Sequence, residues 1–176
     1  MQTLQQKIDQ KIVNVPNFPA AGIQYKDITP LFLDPHLSQE IIDAFVAQAQ
    51  GKVDVVCGIE SRGFLYGVQI AHQLNVPFVL IRKAGKLPPP TLAISYDLEY
   101  GSATIELNRN YIPKGARVMI HDDILATGGT ALAAAKLIEM CEAEVVQFSF
   151  IATLAFLHGD EKLKRVTSSI ISLTQV

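Results

Sequence analysis

The sequence predicts an α/β fold with a mostly parallel central sheet flanked by helices. Short apolar runs of strand length alternate with amphipathic stretches of helix length, and this alternation is typical of right-handed βαβ units. Glycine-containing turns follow two of the apolar runs directly, at 58–63 and 122–130. Hydrophobic residues make up 49% of the 176 residues and charged residues only 18%, so the chain can bury a large sheet. We therefore expect a single domain over residues 1–176.

The first fifty residues predict two helices separated by an irregular segment. Apolar residues recur every four positions over 4–12 and predict a short amphipathic helix. Residues 14–19 contain two prolines and end this helix, and residues 20–35 are irregular and predict an ordered loop or an edge strand. Asp34 followed by Pro35 is a favourable N-cap and first turn, and the second helix should end by Gly51.

The rest of the chain alternates between predicted strands and helices. In chain order the predicted strands lie at 53–57, 78–82, 92–96, 103–107, 118–120, 144–152 and 168–173, and the helices at 64–74 and after 130. The turns at 58–63, 83–90 and 122–130 should leave strands at the same edge of the sheet. Because ligands of such sheets bind at the carboxyl ends of the strands, we expect these three turns to form one site.

Several functional classes are disfavoured by the composition and by missing motifs. A net charge of −2 provides no basic field for nucleic acid, and no apolar run reaches the roughly 18–20 residues of a membrane-spanning helix. The N-terminus lacks the apolar core of a signal peptide, and Cys57 and Cys141 lack metal-ligand spacing, so we expect reduced cysteines in the cytoplasm. No Walker A or G-x-G-x-x-G pattern occurs, and Ile59 breaks the G-x-S-x-G pattern around Ser61.

The turn at 122–130 combines two carboxylates with a phosphate-binding pattern. Asp122 and Asp123 should stand where the central strand ends, and residues 127–130 read Thr-Gly-Gly-Thr before an alanine-rich helix. Free backbone N–H groups and the positive end of a helix dipole suit a phosphate, whereas carboxylates suit the hydroxyls of a neighbouring sugar. A ribose 5-phosphate carries both groups. The alternative is an ordinary glycine turn after a strand that ends in polar residues.

Basic residues follow the two neighbouring strands. Arg62 precedes Gly63 at a predicted helix start, which suggests an anion site, and a surface arginine is the alternative. Three cations lie close together at Arg82, Lys83 and Lys86. They could hold a highly charged leaving group such as pyrophosphate, or form a solvated basic turn.

Two other features allow both a functional and a structural interpretation. Residues 95–101, Ser-Tyr-Asp-Leu-Glu-Tyr-Gly, lie at the tip of the predicted hairpin and suggest a mobile lid that excludes water, with a plain β-hairpin as the alternative. His121 precedes the carboxylate pair and could reach the site, but a histidine packed within the strand is the more conservative interpretation.

These motifs together resemble one family. SRGF at 61–64, LIRKAGKLP at 80–88, SYDLEYG at 95–101, DDILATGGT at 122–130 and FPAAGIQYKDITPLFLDP at 18–35 resemble the adenine phosphoribosyltransferases, which belong to the type I phosphoribosyltransferases. The resemblance implies purine salvage, in which adenine and phosphoribosyl pyrophosphate (PRPP) give AMP and pyrophosphate. It also implies that Mg²⁺ is held through PRPP or pyrophosphate and water, with no direct protein ligand.

The resemblance also implies a role for each matching residue. The 5′-phosphate is held by Ala126, Thr127, Gly128, Gly129 and Thr130, and the ribose hydroxyls by Asp122 and Asp123. Pyrophosphate contacts Ser61, Arg62, Lys83 and Lys86, together with Arg82 from the partner subunit of a homodimer. Adenine contacts Gln24, Tyr25, Lys26 and Ile124. The implied catalytic residues are Glu99, which handles the purine proton, Arg62 and Tyr100.

The implied fold adds a small N-terminal hood over the base at 1–35 and a flexible hairpin lid at 92–107. A non-proline cis peptide is implied between Glu60 and Ser61. The sequence departs from the family pattern at Ala21, Pro89, His121 and Thr153. Two alternatives stay open: a phosphoribosyltransferase for another purine, and a regulatory protein that binds PRPP without catalysis.

Overall fold

The computed structural model describes residues 2–98 and 101–176. Within them the strands are β1 (Val13–Pro16), β2 (Gln24–Asp27), β3 (Val55–Ile59), β4 (Phe78–Lys83), β5 (Thr91–Leu98), β6 (Gly101–Asn108), β7 (Arg117–Leu125), β8 (Glu144–Thr153) and β9 (Ile170–Gln175). The helices are α1 (Leu4–Lys11), α2 (Pro35–Ala49), α3 (Gly63–Leu74), α4 (Gly129–Met140) and α5 (Gly159–Leu163). Short 3₁₀ turns lie at Thr29–Leu33, Arg109–Tyr111 and Ala155–Leu157.

The central sheet is mostly parallel, as the sequence predicts. Its strand order is β5-β6-β4-β3-β7-β8-β9, and the pairs from β4 to β9 run parallel. The β5–β6 hairpin joins the β4 edge antiparallel to it. The chain passes from β3 to β4 on one side and later enters β7 on the other side of β3. The strand order therefore reverses between β3 and β7, where open α/β sheets form a ligand crevice.

Capping groups mark the helix ends, and the cap predicted at Asp34 is confirmed. Thr3 forms a capping box with Gln6 at the start of α1, and the Asp34 carboxylate accepts from the Leu37 N–H at the start of α2. Helix α3 ends at Asn75, which adopts the left-handed conformation with φ 56°. Local capping groups thus define these helix ends.

Two apolar clusters cover the two faces of the sheet. One lies between the sheet and α4 and includes Ile81, Val118 and Phe148. The other lies between the sheet and helices α1 to α3 and includes Phe45 and Tyr66. The buried strand β3 contributes to both, which explains why its sequence is continuously apolar instead of alternating.

Several predicted strand boundaries were wrong, including that of the last strand, which lies at Ile170–Gln175 and not at 168–173, and two of them affect the site. Strand β7 continues through the carboxylate pair to Leu125 because its pairing with β8 extends to Thr153, although its pairing with β3 stops at His121. Strand β3 begins at Val55 and extends to Ile59 because it pairs with β4 that far. The acidic pair therefore lies within a strand, on the part of β7 that extends beyond β3.

The irregular N-terminal segment contains a small antiparallel sheet. Strand β1 pairs with β2 over four residues, so the alternative of an edge strand is confirmed for Gln24–Asp27. None of the described helices is long and apolar enough to cross a membrane.

Candidate active site

A cavity of about 720 Å³ opens at the carboxyl ends of β3 and β7. It brings together the three predicted turns and the N-terminal sheet. The predicted site residues that line it are Gln24, Tyr25, Lys26, Ser61, Arg62, Lys83, Lys86, Asp122, Asp123, Ile124 and Ala126. A smaller adjoining cavity of about 70 Å³ is lined by Asp122, Ile124, Ala126, Thr127, Gly128, Gly129 and Thr130, among others. The predicted convergence of the turns is confirmed.

The smaller cavity is formed by the turn between β7 and α4, residues 126–130, which we call the phosphate loop. Gly128 has φ +75°, a conformation that favours glycine, and its carbonyl accepts from the Leu132 N–H at 2.9 Å. The first N–H groups of a helix have no partner within the helix, so they are free to bind an anion. The loop therefore offers backbone donors and the hydroxyls of Thr127 and Thr130.

Gly159, at the start of α5, packs directly against the phosphate loop. A Cβ atom at Gly159 would lie 2.1 Å from the Ala126 carbonyl oxygen and 2.9 Å from the Gly128 nitrogen. A Cβ atom at Gly128 would lie 2.5 Å from the Gly159 carbonyl oxygen. Backbone thus packs on backbone here, and any side chain at either position would displace the loop.

Asp122 and Asp123 face the larger cavity from the end of β7. The Asp122 Oδ1 accepts from the Asp123 N–H at 2.9 Å. Burial and the Asp123 charge raise the pKa of Asp122, and burial raises the pKa of Asp123 although the Arg62 charge opposes that shift. The two carboxyls therefore hold a proton more readily than exposed aspartates do.

Arg62 connects the acidic pair with the N-terminal sheet. Its Nε lies 2.7 Å from Asp123 Oδ2, and its Nη1 donates to the Tyr25 hydroxyl. The guanidinium carbon lies 4.9 Å from the centroid of the Tyr25 ring. A freely solvated surface arginine is therefore wrong for this position.

The turn after β3 packs closely against Asp122 on β7 because Gly63 has no side chain. A Cβ atom there would lie 2.8 Å from the His121 carbonyl oxygen and 3.0 Å from Asp122 Oδ1. The peptide between Glu60 and Ser61 is cis, as the resemblance implied.

The Glu60 carboxylate forms hydrogen bonds with three residues of the basic turn, residues 82–87. Its Oε1 accepts from Lys86 Nζ at 2.8 Å and from Arg82 Nη2 at 3.2 Å, and its Oε2 accepts from the Lys83 N–H at 2.8 Å. Burial alone would raise the pKa of Glu60, but these hydrogen bonds lower it to about 2. Glu60 is therefore ionised and partly neutralises the predicted pyrophosphate-binding cations.

A second buried carboxylate shapes the same turn. Glu106 on β6 is 5% exposed, and its Oε1 accepts from the backbone N–H groups of Lys86 and Leu87 at 2.9 and 3.0 Å. Residues 83–86 are exposed, as the alternative of a solvated basic turn predicts, but the carboxylates of Glu60 and Glu106 hold the backbone of the turn in place.

The N-terminal sheet covers the cavity with an aromatic side chain. Tyr25 and Ile124 line the cavity from β2 and β7, respectively. Phe18 packs edge-on against Tyr25, with ring centroids 5.1 Å apart. An apolar, flat ligand could thus be held between the small sheet and the end of β7.

Comparison with known proteins identifies the family. The family model for the phosphoribosyl transferase domain matches residues 32–172.

The chain belongs to the phosphoribosyl transferase family.

Relatives of this family member are similar over most of their length. An adenine phosphoribosyltransferase of Christiangramia forsetii is 50% identical over 151 residues, which cover 85% of this chain and 88% of the relative. The crystal structure of adenine phosphoribosyltransferase from Thermoanaerobacter pseudethanolicus has a TM-score of 0.93 at 41% identity and covers 99% of this chain and 100% of its own. The Saccharomyces cerevisiae enzyme, complexed with an imino-altritol bisphosphate and adenine, has a TM-score of 0.90 at 42% identity, covering 97% and 98%. The mostly parallel fold of the type I phosphoribosyltransferases is thereby confirmed.

Some of the predicted site residues do not line either cavity. Arg82 does not line either cavity, because its guanidinium bonds to Glu60 and to the Lys86 carbonyl. Glu99 and Tyr100 lie outside the described residues. His121 is fully buried, and its Nδ1 lies 3.0 Å from Ser149 Oγ, so the interpretation as a packed strand histidine is confirmed. Burial lowers the pKa of His121 to about 3, although the bond to Ser149 opposes that shift.

Sequence reasoning overlooked several residues around this site, including Leu125, Ala131 and Phe150 of the smaller cavity. Ile23, Glu60 and Leu154 line the larger cavity, and Gly159 packs under the phosphate loop. Glu60 could have been predicted from its position. It follows β3 directly, and the basic turn follows β4, which is the next strand in the chain and was expected to end at the same edge of the sheet. Leu154 and Gly159 gave no local signal, since the fold alone brings them to the site.

Proposed function

We propose that this protein is an adenine phosphoribosyltransferase, which transfers the 5-phosphoribosyl group of PRPP to N9 of adenine and releases AMP and pyrophosphate. The observation that carries the proposal is that two adjoining cavities bring together a loop of backbone donors, an acidic pair, a cluster of cations and an aromatic cover. A ribose bearing two different phosphate groups and a flat base requires these four elements. The relatives named for this activity support the same conclusion.

The sugar is held at the phosphate loop and the acidic pair. Backbone N–H groups of residues 126–130 and the Thr127 and Thr130 hydroxyls bind the 5′-phosphate. Asp122 and Asp123 accept hydrogen bonds from the ribose hydroxyls. Both carboxyls line the larger cavity, and a diol that donates to both would stabilise the charged forms that burial disfavours.

The leaving pyrophosphate faces Ser61, Arg62, Lys83 and Lys86. Departure of pyrophosphate leaves positive charge on the ribose ring, so the reaction depends on stabilising the negative charge of the leaving group. Arg62 also donates a hydrogen bond to the Tyr25 hydroxyl. This bond supports a structural connection between the residues proposed to bind pyrophosphate and the residue proposed to stack on adenine.

Adenine lies between Tyr25 and Ile124, and the segment around Gln24 and Lys26 reads its edge. Stacking on the aromatic ring holds N9 in line with the sugar carbon. The two reactants are then already oriented, which lowers the entropic part of the barrier. Residues 1–35 serve as the hood over the base, and residues 92–107 as the hairpin lid.

We propose that Mg²⁺ binds through the oxygens of PRPP or pyrophosphate and through water. Among the described residues, no group of three or more His, Cys, Asp or Glu side chains could hold a metal ion. Because Asp122 and Asp123 are assigned to the ribose hydroxyls, phosphate oxygens of the substrate and water would supply the hard oxygen donors that Mg²⁺ prefers. When bound, the ion neutralises charge on the pyrophosphate.

We further propose a cytoplasmic homodimer in which Arg82 reaches the partner's site. Leu65 and Val68 on α3 and Leu80 on β4 are exposed apolar side chains, which supports packing of a second copy, and Leu80 lies two residues before Arg82 on the same strand. The cysteines Cys57 and Cys141 are free, which supports a reducing compartment.

The test is to incubate purified protein with Mg²⁺, PRPP and adenine and to measure AMP by chromatography and pyrophosphate by a coupled assay. Hypoxanthine, guanine and xanthine serve as competing bases. We expect AMP and little product from the other bases. Absence of AMP would contradict the proposal, and preferential use of another purine would reassign the substrate.

Glu99→Ala tests the proposed proton transfer. We expect kcat to fall by about 100-fold, in the range for loss of a general acid or base, while the Kd for PRPP stays nearly unchanged. Equal turnover in the variant would refute the catalytic role of Glu99.

A further inference from the structure

Strand β5 presents a row of side chains to helix α4. Leu92, Ile94 and Tyr96 alternate along the strand and pack against the apolar cluster between the sheet and α4. Tyr96 is the last of this row, and its hydroxyl lies 3.0 Å from Thr130 Oγ1. Thr130 is the second residue of α4 and belongs to the phosphate loop.

The same strand also approaches the neighbouring loop residue. A Cβ atom at Gly129 would lie 3.7 Å from the Asp97 carbonyl oxygen and 3.8 Å from Tyr96 Cδ2, which is ordinary van der Waals contact. The β5 strand therefore lies against the first residues of α4. The hydroxyl pair of Tyr96 and Thr130 is a directional contact within this packing.

We propose that Tyr96 is a positioning residue for phosphate binding, acting through Thr130; this inference rests on the proposed function. A threonine hydroxyl has one hydrogen and accepts through its oxygen. If the Tyr96 hydroxyl donates to Thr130 Oγ1, the Thr130 hydrogen points away from Tyr96 and is available to the 5′-phosphate. The chain of bonds Tyr96 to Thr130 to phosphate also polarises each donor, which strengthens the bond to the anion.

The geometry distinguishes this role from general support of the hairpin. On the neighbouring position of the same strand, Ser95 Oγ lies 2.8 Å from Thr104 Oγ1 on β6. That hydroxyl pair joins the two strands of the hairpin. Ser95 therefore stabilises the same hairpin as Tyr96 but makes no contact with Thr130.

The experiment measures the Kd of ribose 5-phosphate by calorimetry for wild type, Tyr96→Phe and Ser95→Ala. We expect Tyr96→Phe to raise the Kd about fivefold, as for loss of one hydrogen bond, and Ser95→Ala to leave it unchanged. The KM for PRPP should rise in parallel in Tyr96→Phe, while the KM for adenine stays constant. Thermal melting of each variant reports whether the fold is retained.

A double-mutant cycle tests whether the effect passes through Thr130. In a Thr130→Val background, Tyr96→Phe should change the Kd no further, whereas in a Thr130→Ser background the fivefold effect should persist. An unchanged Kd in Tyr96→Phe, an equal loss in Ser95→Ala, or a full effect in the Thr130→Val background would each overturn the inference. A wild-type protein that binds neither ribose 5-phosphate nor AMP would instead contradict the proposed function.

Discussion

The two cavities of the site offer an anion different kinds of donor. At the phosphate loop, the donors are backbone N–H groups and hydroxyls, and none of the described residues that line the smaller cavity is a lysine or arginine. At the opposite end, Arg62, Lys83 and Lys86 line the larger cavity. One end therefore uses fixed dipoles, and the other uses charged side chains.

The ends also differ in how they are held before a ligand binds. Backbone dipoles need no counter-ion, and the phosphate loop is held by close backbone packing against Gly159. The cations need counter-ions, and Glu60 and Asp123 supply them through ion pairs of 2.7 to 3.2 Å. In the proposed reaction the 5′-phosphate stays on the sugar while pyrophosphate leaves. Rigid packing suits the group that stays, and exchangeable ion pairs suit the group that departs.

The largest effect should come from disturbing the packed end. Gly159→Ala forces the phosphate loop away from α5, because the added Cβ would otherwise lie 2.1 Å from the Ala126 oxygen. We expect the Kd of ribose 5-phosphate to rise about 100-fold, the loss typical of displacing a binding group by about 1 Å. Pyrophosphate affinity should change little.

Gly115→Ala is the matched control for this variant. Gly115 has φ +76°, and a Cβ there would meet nothing within 4 Å, so the substitution strains the backbone without touching the loop. Melting temperatures should fall in the control while ribose 5-phosphate affinity is retained. If Gly159→Ala bound the sugar phosphate normally, packing would not explain the rigidity of this end.

An intermediate effect should come from the acidic pair between the two ends. Asp122→Asn removes a charged acceptor for the ribose hydroxyls, and we expect the Kd of ribose 5-phosphate to rise about tenfold. The ligand-free variant should nevertheless melt at a higher temperature at pH 7. The reason is that burial and the Asp123 charge raise the pKa of Asp122, so the ionised form destabilises the empty site.

The predicted stabilisation of ligand-free Asp122→Asn should depend on pH. Between the unfolded pKa and the raised folded pKa, the native state binds more protons than the unfolded chain, so stability is lost as pH rises through the folded pKa. The advantage of Asp122→Asn should therefore vanish near pH 4, where Asp122 keeps its proton. Asp54→Asn is the control of opposite sign, because the Arg117 side-chain hydrogen bond lowers the pKa of Asp54 to about 2. A stabilising effect of Asp54→Asn would argue against the electrostatic explanation.

The smallest effect should come from the charged end. Glu60→Gln removes the negative charge that competes with pyrophosphate for Lys86 and Arg82. We expect pyrophosphate to bind about threefold more tightly at low salt, in the range of a partly exposed ion pair. The gain should shrink in 0.5 M salt (about 4 Å of screening length), and ribose 5-phosphate affinity should not change.

Glu40→Gln serves as the control for the charge change. Glu40 pairs with Lys7 between α1 and α2, at 2.7 Å, and lines neither cavity of the site. Its substitution should leave pyrophosphate affinity as in wild type. Weaker pyrophosphate binding in Glu60→Gln would mean that Glu60 organises the basic turn and does not compete with the ligand.

Much of the site could be predicted because its signals are local. The acidic pair, the Thr-Gly-Gly-Thr turn and the following helix lie within twenty residues, and strand, turn and helix propensities act at that range. The predicted end of β7 was wrong for the same reason. Apolar runs mark where a strand is buried on both faces, whereas the length of β7 depends on its pairing with β8 as far as Leu125.

The amino-acid sequence by itself determined the order of the central-sheet strands and of helices α1 to α4, the caps at Asp34 and Asn75, and the glycine-containing turns that follow β3 and β7, but it did not predict β1 or α5. Only the tertiary structure decided which side chains complete those turns. Glu60 meets Lys86, Tyr96 meets Thr130, and Gly159 meets Ala126, each across more than twenty residues of chain. Such contacts follow from the strand order of the sheet, which places β4 and β7 on either side of β3. Local propensity carries no information about that order, because it arises from the burial of both sheet faces at once.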